Sequence, residues 1–183
     1  MIFQKEVKSV LNKHKKRDSW FLDDYSVNPY EGCGFNCIYC YTRGSKYGEN
    51  LAEKLTIKTN APEILDRQLS NRAKKNQFGI IAVGSPTDAY MQAEEVFLQT
   101  RKMLEVILNN RFPVFISAKS NLILRDLDLL KEIDEQAILP GGLKRSLGRR
   151  VILSFSFSTP DEKMAKLLEP GASSPACRLQ TLR

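Results

Sequence analysis

Three short apolar runs, at 78–84, 113–118 and 151–157, alternate with stretches of helical periodicity, and no other feature constrains the fold as strongly. Each run reads as a strand: a buried strand of a parallel sheet is continuously apolar and bounded by turn residues, as the first is by Gly84 and Pro86. The intervening stretches read as helices. One spans 62–76, with Pro62 in its first turn and Ile64, Leu65 and Leu69 on one face. A second spans 93–110 and carries Val96, Leu104, Ile107 and Leu108, and further helices are expected at 122–136 and 161–168. Residues 25–30 form a short extended piece, because Pro29 keeps the residue before it out of the helical region. Alternation of this kind predicts parallel β/α units wound into an open sheet or a barrel. Ligands bind such folds in the loops after the carboxyl ends of the strands. The residues to watch are therefore Ser85, Thr87 and Asp88, then Lys119 and Ser120, then Ser156, Ser158 and Thr159.

The flanks are less ordered in pattern. Residues 1–24 are polar and charged and read as a basic N-terminal extension to a core at 25–183. Its run Lys13-His14-Lys15-Lys16-Arg17 looks like a mobile arm or an exposed face, and 139–148 like a loose insertion. Lys and Arg total 28 against 21 Asp and Glu, a net charge of +7 that permits nucleic acid as a partner, although no nucleic-acid-reading motif accompanies it. No apolar run approaches the ~20 residues of a membrane span. The first residues also lack the apolar stretch of a secretory signal, so a cytoplasmic location is the expectation.

Three of the four cysteines crowd into Cys33-Gly-Phe-Asn-Cys37-Ile-Tyr-Cys40, within a loop expected over 31–48, while Cys177 stands apart. Clustered thiols suggest a metal or a cluster rather than a disulfide framework. An iron–sulfur cluster ordinarily takes four thiolates, so three leave one iron open to a ligand. Zinc would need a fourth partner, and only the distant His14 and Cys177 are available to it. Gly32 and Gly34 let the backbone turn tightly here, and Phe35, Tyr39 and Tyr41 could shield a cluster from water.

These residues resemble the radical SAM superfamily, whose signature C-x3-C-x-aromatic-C is met with Tyr39 as the aromatic. The words Asn28-Pro-Tyr-Glu-Gly-Cys33, Cys37-Ile-Tyr-Cys-Tyr41, Thr87-Asp88-Ala-Tyr90, Lys119-Ser120 and Glu169-Pro170 look like its spore photolyase-like branch. The resemblance implies a partial (β/α) barrel of the radical SAM type, of which this chain carries about four of six β/α units and is incomplete toward its C-terminus. It implies a 4Fe–4S cluster on Cys33, Cys37 and Cys40 and reductive cleavage of S-adenosylmethionine to a 5′-deoxyadenosyl radical acting on an unknown substrate. It further implies that Tyr39 lies against the adenine, that Ser85, Thr87 and Asp88 meet the amino group, Lys119 and Ser120 the carboxylate, and Ser156 the ribose. An electron donor such as ferredoxin or flavodoxin follows from the chemistry. Spore photolyase is similar in having a hydrogen-donating cysteine near the end of its second strand, where this chain reads Gly84-Ser-Pro-Thr-Asp88 without a thiol. Repair of the spore lesion is therefore set behind a related radical reaction. The alternatives are a non-catalytic basic metal- or zinc-containing module for nucleic acid, and an inactive remnant.

Overall fold

The computed structural model describes residues 1–45 and 54–183, so the last three positions of the loop expected over 31–48 lie outside the described residues. In chain order the first elements are β1 (Ile2–Lys5), β2 (Asn12–Lys13), β3 (Asp23–Val27), β4 (Tyr30–Glu31), β5 (Leu55–Lys58) and α1 (Ala61–Lys74). There follow β6 (Ile80–Val83), α2 (Ala93–Phe97), α3 (Gln99–Asn109), β7 (Val114–Ala118), a 3-10 turn (Asn121–Asp126) and α4 (Leu127–Gln136). The chain closes with β8 (Val151–Phe155), α5 (Glu162–Leu168) and α6 (Pro175–Thr181).

The three apolar runs become β6, β7 and β8, and the extended piece before the cysteines becomes β3. These four strands pair in parallel in the order β3-β6-β7-β8, with β2 antiparallel on the outer edge of β3. One face of this sheet packs α1, α3 and α4 onto a core of Tyr25, Val27, Leu65, Leu69, Ile81, Val83, Leu104, Ile107, Val114 and Ile116. The other face carries Ile80 and Phe115, covered by Leu143. Burying a Leu or Ile side chain contributes about 1.5–3 kcal/mol, so this core is what holds the strand ends in register. The sheet is open: β2 and β8 are its two edges. The fold is thus a mixed α/β sheet that does not close on itself, and the expected barrel is not formed by these strands.

Two expectations from the sequence need correction. The polar start of the chain is the exposed face rather than the mobile arm: β1 pairs in parallel with β5, β4 pairs with the other edge of β5, and the basic run from Lys13 is tied to β3. Arg17 grips the Asp24 carboxylate at 3.0 Å, and the His14 amide donates to the Asp24 carbonyl. The single helix expected over 93–110 is two, broken at Leu98, whose φ of 54° lies in the left-handed region. The buried Glu94 carboxylate accounts for the restart. It accepts the amides of Thr100 and Arg101, first-turn donors of α3 that otherwise lack partners.

Candidate functional site

The carboxyl ends of β3, β6, β7 and β8 open on one side of the sheet, and a cavity of about 350 Å³ lies there. Its walls include Cys33, Cys37, Tyr39 and Cys40 from the loop after β3, and Ser85, Thr87 and Asp88 from the loop after β6. Lys119 follows β7 and Ser156 follows β8 on the remaining side. Nine of the ten residues that the resemblance assigns to cluster and cofactor thus share one cavity, while Ser158 and Thr159, also marked from the sequence, do not line it. Ser120 does not line it; its hydroxyl accepts the Leu122 amide and caps the 3-10 turn.

The cysteine loop owes its shape to local turns. Asn36 adopts φ 51° and Gly32 φ 85°, and the Asn36 and Cys40 amides donate back to the carbonyls of Cys33 and Cys37. Arg43 donates through Nε to the Cys37 carbonyl at 2.9 Å, closing the loop from below. Burial pushes the Cys33 thiol up to about 11, and burial also raises Cys37, with the nearby Lys119 acting against it. Desolvated thiols of this kind become thiolates when a cation compensates them, as in metal ligation. His14 and Cys177 are elsewhere: His14 sits between Asp23 and Ser26, and Cys177 lies on α6. Among the described residues, no group of three His, Cys, Asp or Glu side chains is gathered tightly enough to hold a single metal ion.

The opposite wall is built to receive polar groups. Gly84, with φ 79°, makes the turn after β6, and a Cβ there would stand 2.8 Å from the Thr87 carbonyl. Asp88 is braced rather than free: its two oxygens accept the amides of Tyr90 and Lys119, each at 2.8 Å. Burial nonetheless lifts its carboxyl to about 6. Thr87 is 8% exposed, and among the described residues its buried hydroxyl has no hydrogen-bond partner, an unusual condition for a buried polar atom. The Lys119 ammonium makes no ion pair among the described residues.

A support behind the cysteine loop was not foreseen. The turn between α5 and α6 docks onto the cysteine loop through Ile38 N to the Leu168 carbonyl (2.9 Å) and Gly171 N to the Phe35 carbonyl (3.1 Å). The Tyr39 hydroxyl donates to the buried Glu169 carboxylate, whose other oxygen is held by Arg178 at 2.5 Å. Arg178, 1% exposed, also donates to the carbonyls of Ser156 and Ser173. Glu169 figured in the sequence only as half of a Glu-Pro word. An isolated Glu and Arg nine residues apart carry no signal that they will be buried together.

No protein-family profile matches the chain. Three curated relatives, all described as uncharacterized, are similar to it. A Mycobacterium tuberculosis protein is 26% identical over 161 residues, covering 85% of this chain and 43% of its own length. One from Methanocaldococcus jannaschii is 35% identical over 112 residues, covering 59% and 40%. One from Acidianus two-tailed virus is 27% identical over 169 residues, covering 88% and 51%. The chain therefore spans about half the length, or less, of the curated relatives it matches. Among solved structures it is similar to spore photoproduct lyase. A cysteine-to-serine mutant of that enzyme superposes with a TM-score of 0.68 at 15% identity, over 98% of this chain and 46% of the other. A form with bound AdoMet and dinucleoside spore photoproduct gives 0.65 at 14% identity, over 98% and 45%. The fold of the chain is similar to the part of spore photoproduct lyase that it covers, somewhat under half of that structure. Among the described residues, no helix is long and apolar enough to cross a membrane.

Proposed function

We propose that this chain is the cofactor-binding part of a radical SAM enzyme. In this reading Cys33, Cys37 and Cys40 hold a 4Fe–4S cluster, and S-adenosylmethionine occupies the adjoining cavity. The observation that carries the proposal is that three thiols spaced C-x3-C-x2-C share one cavity with Thr87, Asp88 and Lys119, at the carboxyl ends of parallel strands.

The donor set fits the cofactor. The unpartnered Thr87 hydroxyl and the Asp88 carboxylate can accept from an ammonium, and Lys119 is an unpaired cation for a carboxylate. Tyr39 and Phe35 supply aromatic surface for a planar ring, and Ser156 a hydroxyl for a sugar. Bound together, cluster and S-adenosylmethionine supply a one-electron cleavage that yields a 5′-deoxyadenosyl radical. The chain's own share is to fix the cofactor's charged end between Asp88 and Lys119 and to keep water off the reacting centre with Phe35, Tyr39 and Tyr41. Tyr41 serves this from the rim, where its hydroxyl donates to the Ser85 carbonyl at 2.9 Å. The loop after β6 offers no thiol to donate hydrogen, which favours a reaction other than spore-lesion repair. The reading also calls for a ferredoxin- or flavodoxin-type electron donor, a cytoplasmic setting and a substrate for which nucleic acid is one class.

The test is anaerobic reconstitution with iron and sulfide, followed by EPR of the reduced protein with and without S-adenosylmethionine. A 4Fe–4S signal that changes on adding the cofactor is the expected result. Zinc bound in place of iron, or a cluster signal indifferent to S-adenosylmethionine, would overturn it.

A further inference from the structure

We infer that Glu169 and Arg178 are a positioning pair, acting through Tyr39 to hold the cysteine loop against the cavity. The inference rests on the proposed function for what the cavity binds, but not for the tether itself.

Tyr39 is half exposed, at 49%, in a short loop between two cysteines, so packing alone does not fix its ring. What restrains it is its hydroxyl, which reaches across 130 residues of sequence to Glu169 and is also met by Ser158. A carboxylate held by a surface lysine would wander with it. Glu169 instead meets an arginine that is itself fixed at several points: Arg178 spends Nη2 on Glu169, Nη1 on the Ser156 carbonyl and Nε on the Ser173 carbonyl. The rigid planar fork of Arg can satisfy three acceptors in fixed directions, and Lys cannot. The same device therefore ties the cysteine loop to the ends of two strands. Ser156 follows β8, and the Ser173 amide donates to the carbonyl of Lys119 after β7. Residues that hold a cofactor need such support, because small misplacements weaken binding steeply.

The experiment compares Glu169→Gln, Tyr39→Phe and the double variant with the unaltered chain. Gln keeps one oxygen for Arg178 and turns an amide donor toward the Tyr39 hydroxyl, which can then only accept, so the charge-assisted bond between Tyr39 and the carboxylate is lost. The first readout is hydrogen–deuterium exchange of residues 35–41 in protein free of iron, which needs no cofactor. The second is affinity for S-adenosylmethionine, alongside iron content, in reconstituted protein. Both single variants are expected to speed exchange in 35–41 while leaving β6 and β7 unchanged. Both should weaken S-adenosylmethionine binding about tenfold at unchanged iron content, the scale of one lost hydrogen bond. The double variant should be no worse than the more affected single variant. If Glu169→Gln fails to fold, Tyr39→Phe carries the test, since it removes one hydrogen bond from the Glu169 carboxylate but leaves that carboxylate paired with Arg178. Slow exchange in 35–41 with Tyr39→Phe, or additive effects in the double variant, would overturn the inference. An unaltered chain that takes up iron yet ignores S-adenosylmethionine would overturn the proposed function, while the exchange readout would still decide this one.

Discussion

Replacing Gly171 with Ala puts a methyl group where the structure has no room for one. An added Cβ would stand 2.5 Å from the Gly34 carbonyl oxygen and 2.7 Å from the Phe35 Cα, both backbone atoms of the cysteine loop. Neither can swing aside as a side chain would, so the turn between α5 and α6 must lift off the loop. The lift strains packing by about 1–3 kcal/mol. It also loosens two hydrogen bonds at about 1 kcal/mol each: Gly171 N to the Phe35 carbonyl, and Gln92 Nε2 to the Gly171 carbonyl. A loss of about 3 kcal/mol results, which at a urea slope of about 2 kcal/mol/M lowers the unfolding midpoint by about 1.5 M. Gly141→Ala is the control, because nothing lies within 4 Å of its added Cβ; there the change should stay under about 1 kcal/mol in either direction. Gly171→Ala should also raise hydrogen exchange in residues 33–40. A midpoint within about 0.3 M of the unaltered chain would refute the reasoning, since the turn would then not be pressed against the loop.

Other substitutions read other parts of the structure. Thr87→Val removes a buried hydroxyl that has no partner, so stability should hold or rise by under about 1 kcal/mol while S-adenosylmethionine binding weakens; calorimetry of both quantities separates the two effects. Glu94 and Arg125 pair at 2.7 Å, with Glu94 fully buried, so Glu94→Gln or Arg125→Met should each cost about 3 kcal/mol or more in chemical denaturation; the double variant should lose less than the sum. Burial raises the Asp134 carboxyl, but the amides of Arg150 and Val151 and the Arg149 guanidinium outweigh it and hold it below its usual value. Its contribution is therefore present above about pH 4 and lost as pH falls through its lowered folded value. Asp134→Asn should flatten that acid limb of stability, measured as urea midpoints at successive pH values.

The sheet was legible because its central strands β6 and β7 are buried on both faces, which writes the continuous apolar runs at 78–84 and 113–118; the edge strand β8 carries a similar run at 151–157 although it is only partly buried. The cavity was legible for a related reason: parallel strands end on the same side, so the polar residues just after each run must meet there. What escaped was structure held by pairing rather than by pattern. Ile2–Lys5 is exposed along its length and carries no periodicity, yet it forms a strand because β5 lies beside it in register. The break at Leu98 is invisible in a stretch whose apolar residues keep helical spacing on both sides. It comes from a carboxylate in one helix capping the next. Ser120 was placed in the cavity because it follows β7, but the chain has already turned there, and its hydroxyl serves the 3-10 turn.

The bond between Tyr39 and Glu169 also has a consequence in time. A growing chain emerges N-terminal end first, and elements fold as their partners appear. The cysteine loop is made early, but the residues that steady it lie some 130 positions later, and the arginine that steadies those is later still. Closing so long a loop is slow compared with forming a helix or a local turn. Until Glu169 has been made, the three thiols lie on a loop that lacks this tether. The loop thus reaches its tethered form only after α6, which carries Arg178, has been made, so a helix late in this sequence times the ordering of an early loop.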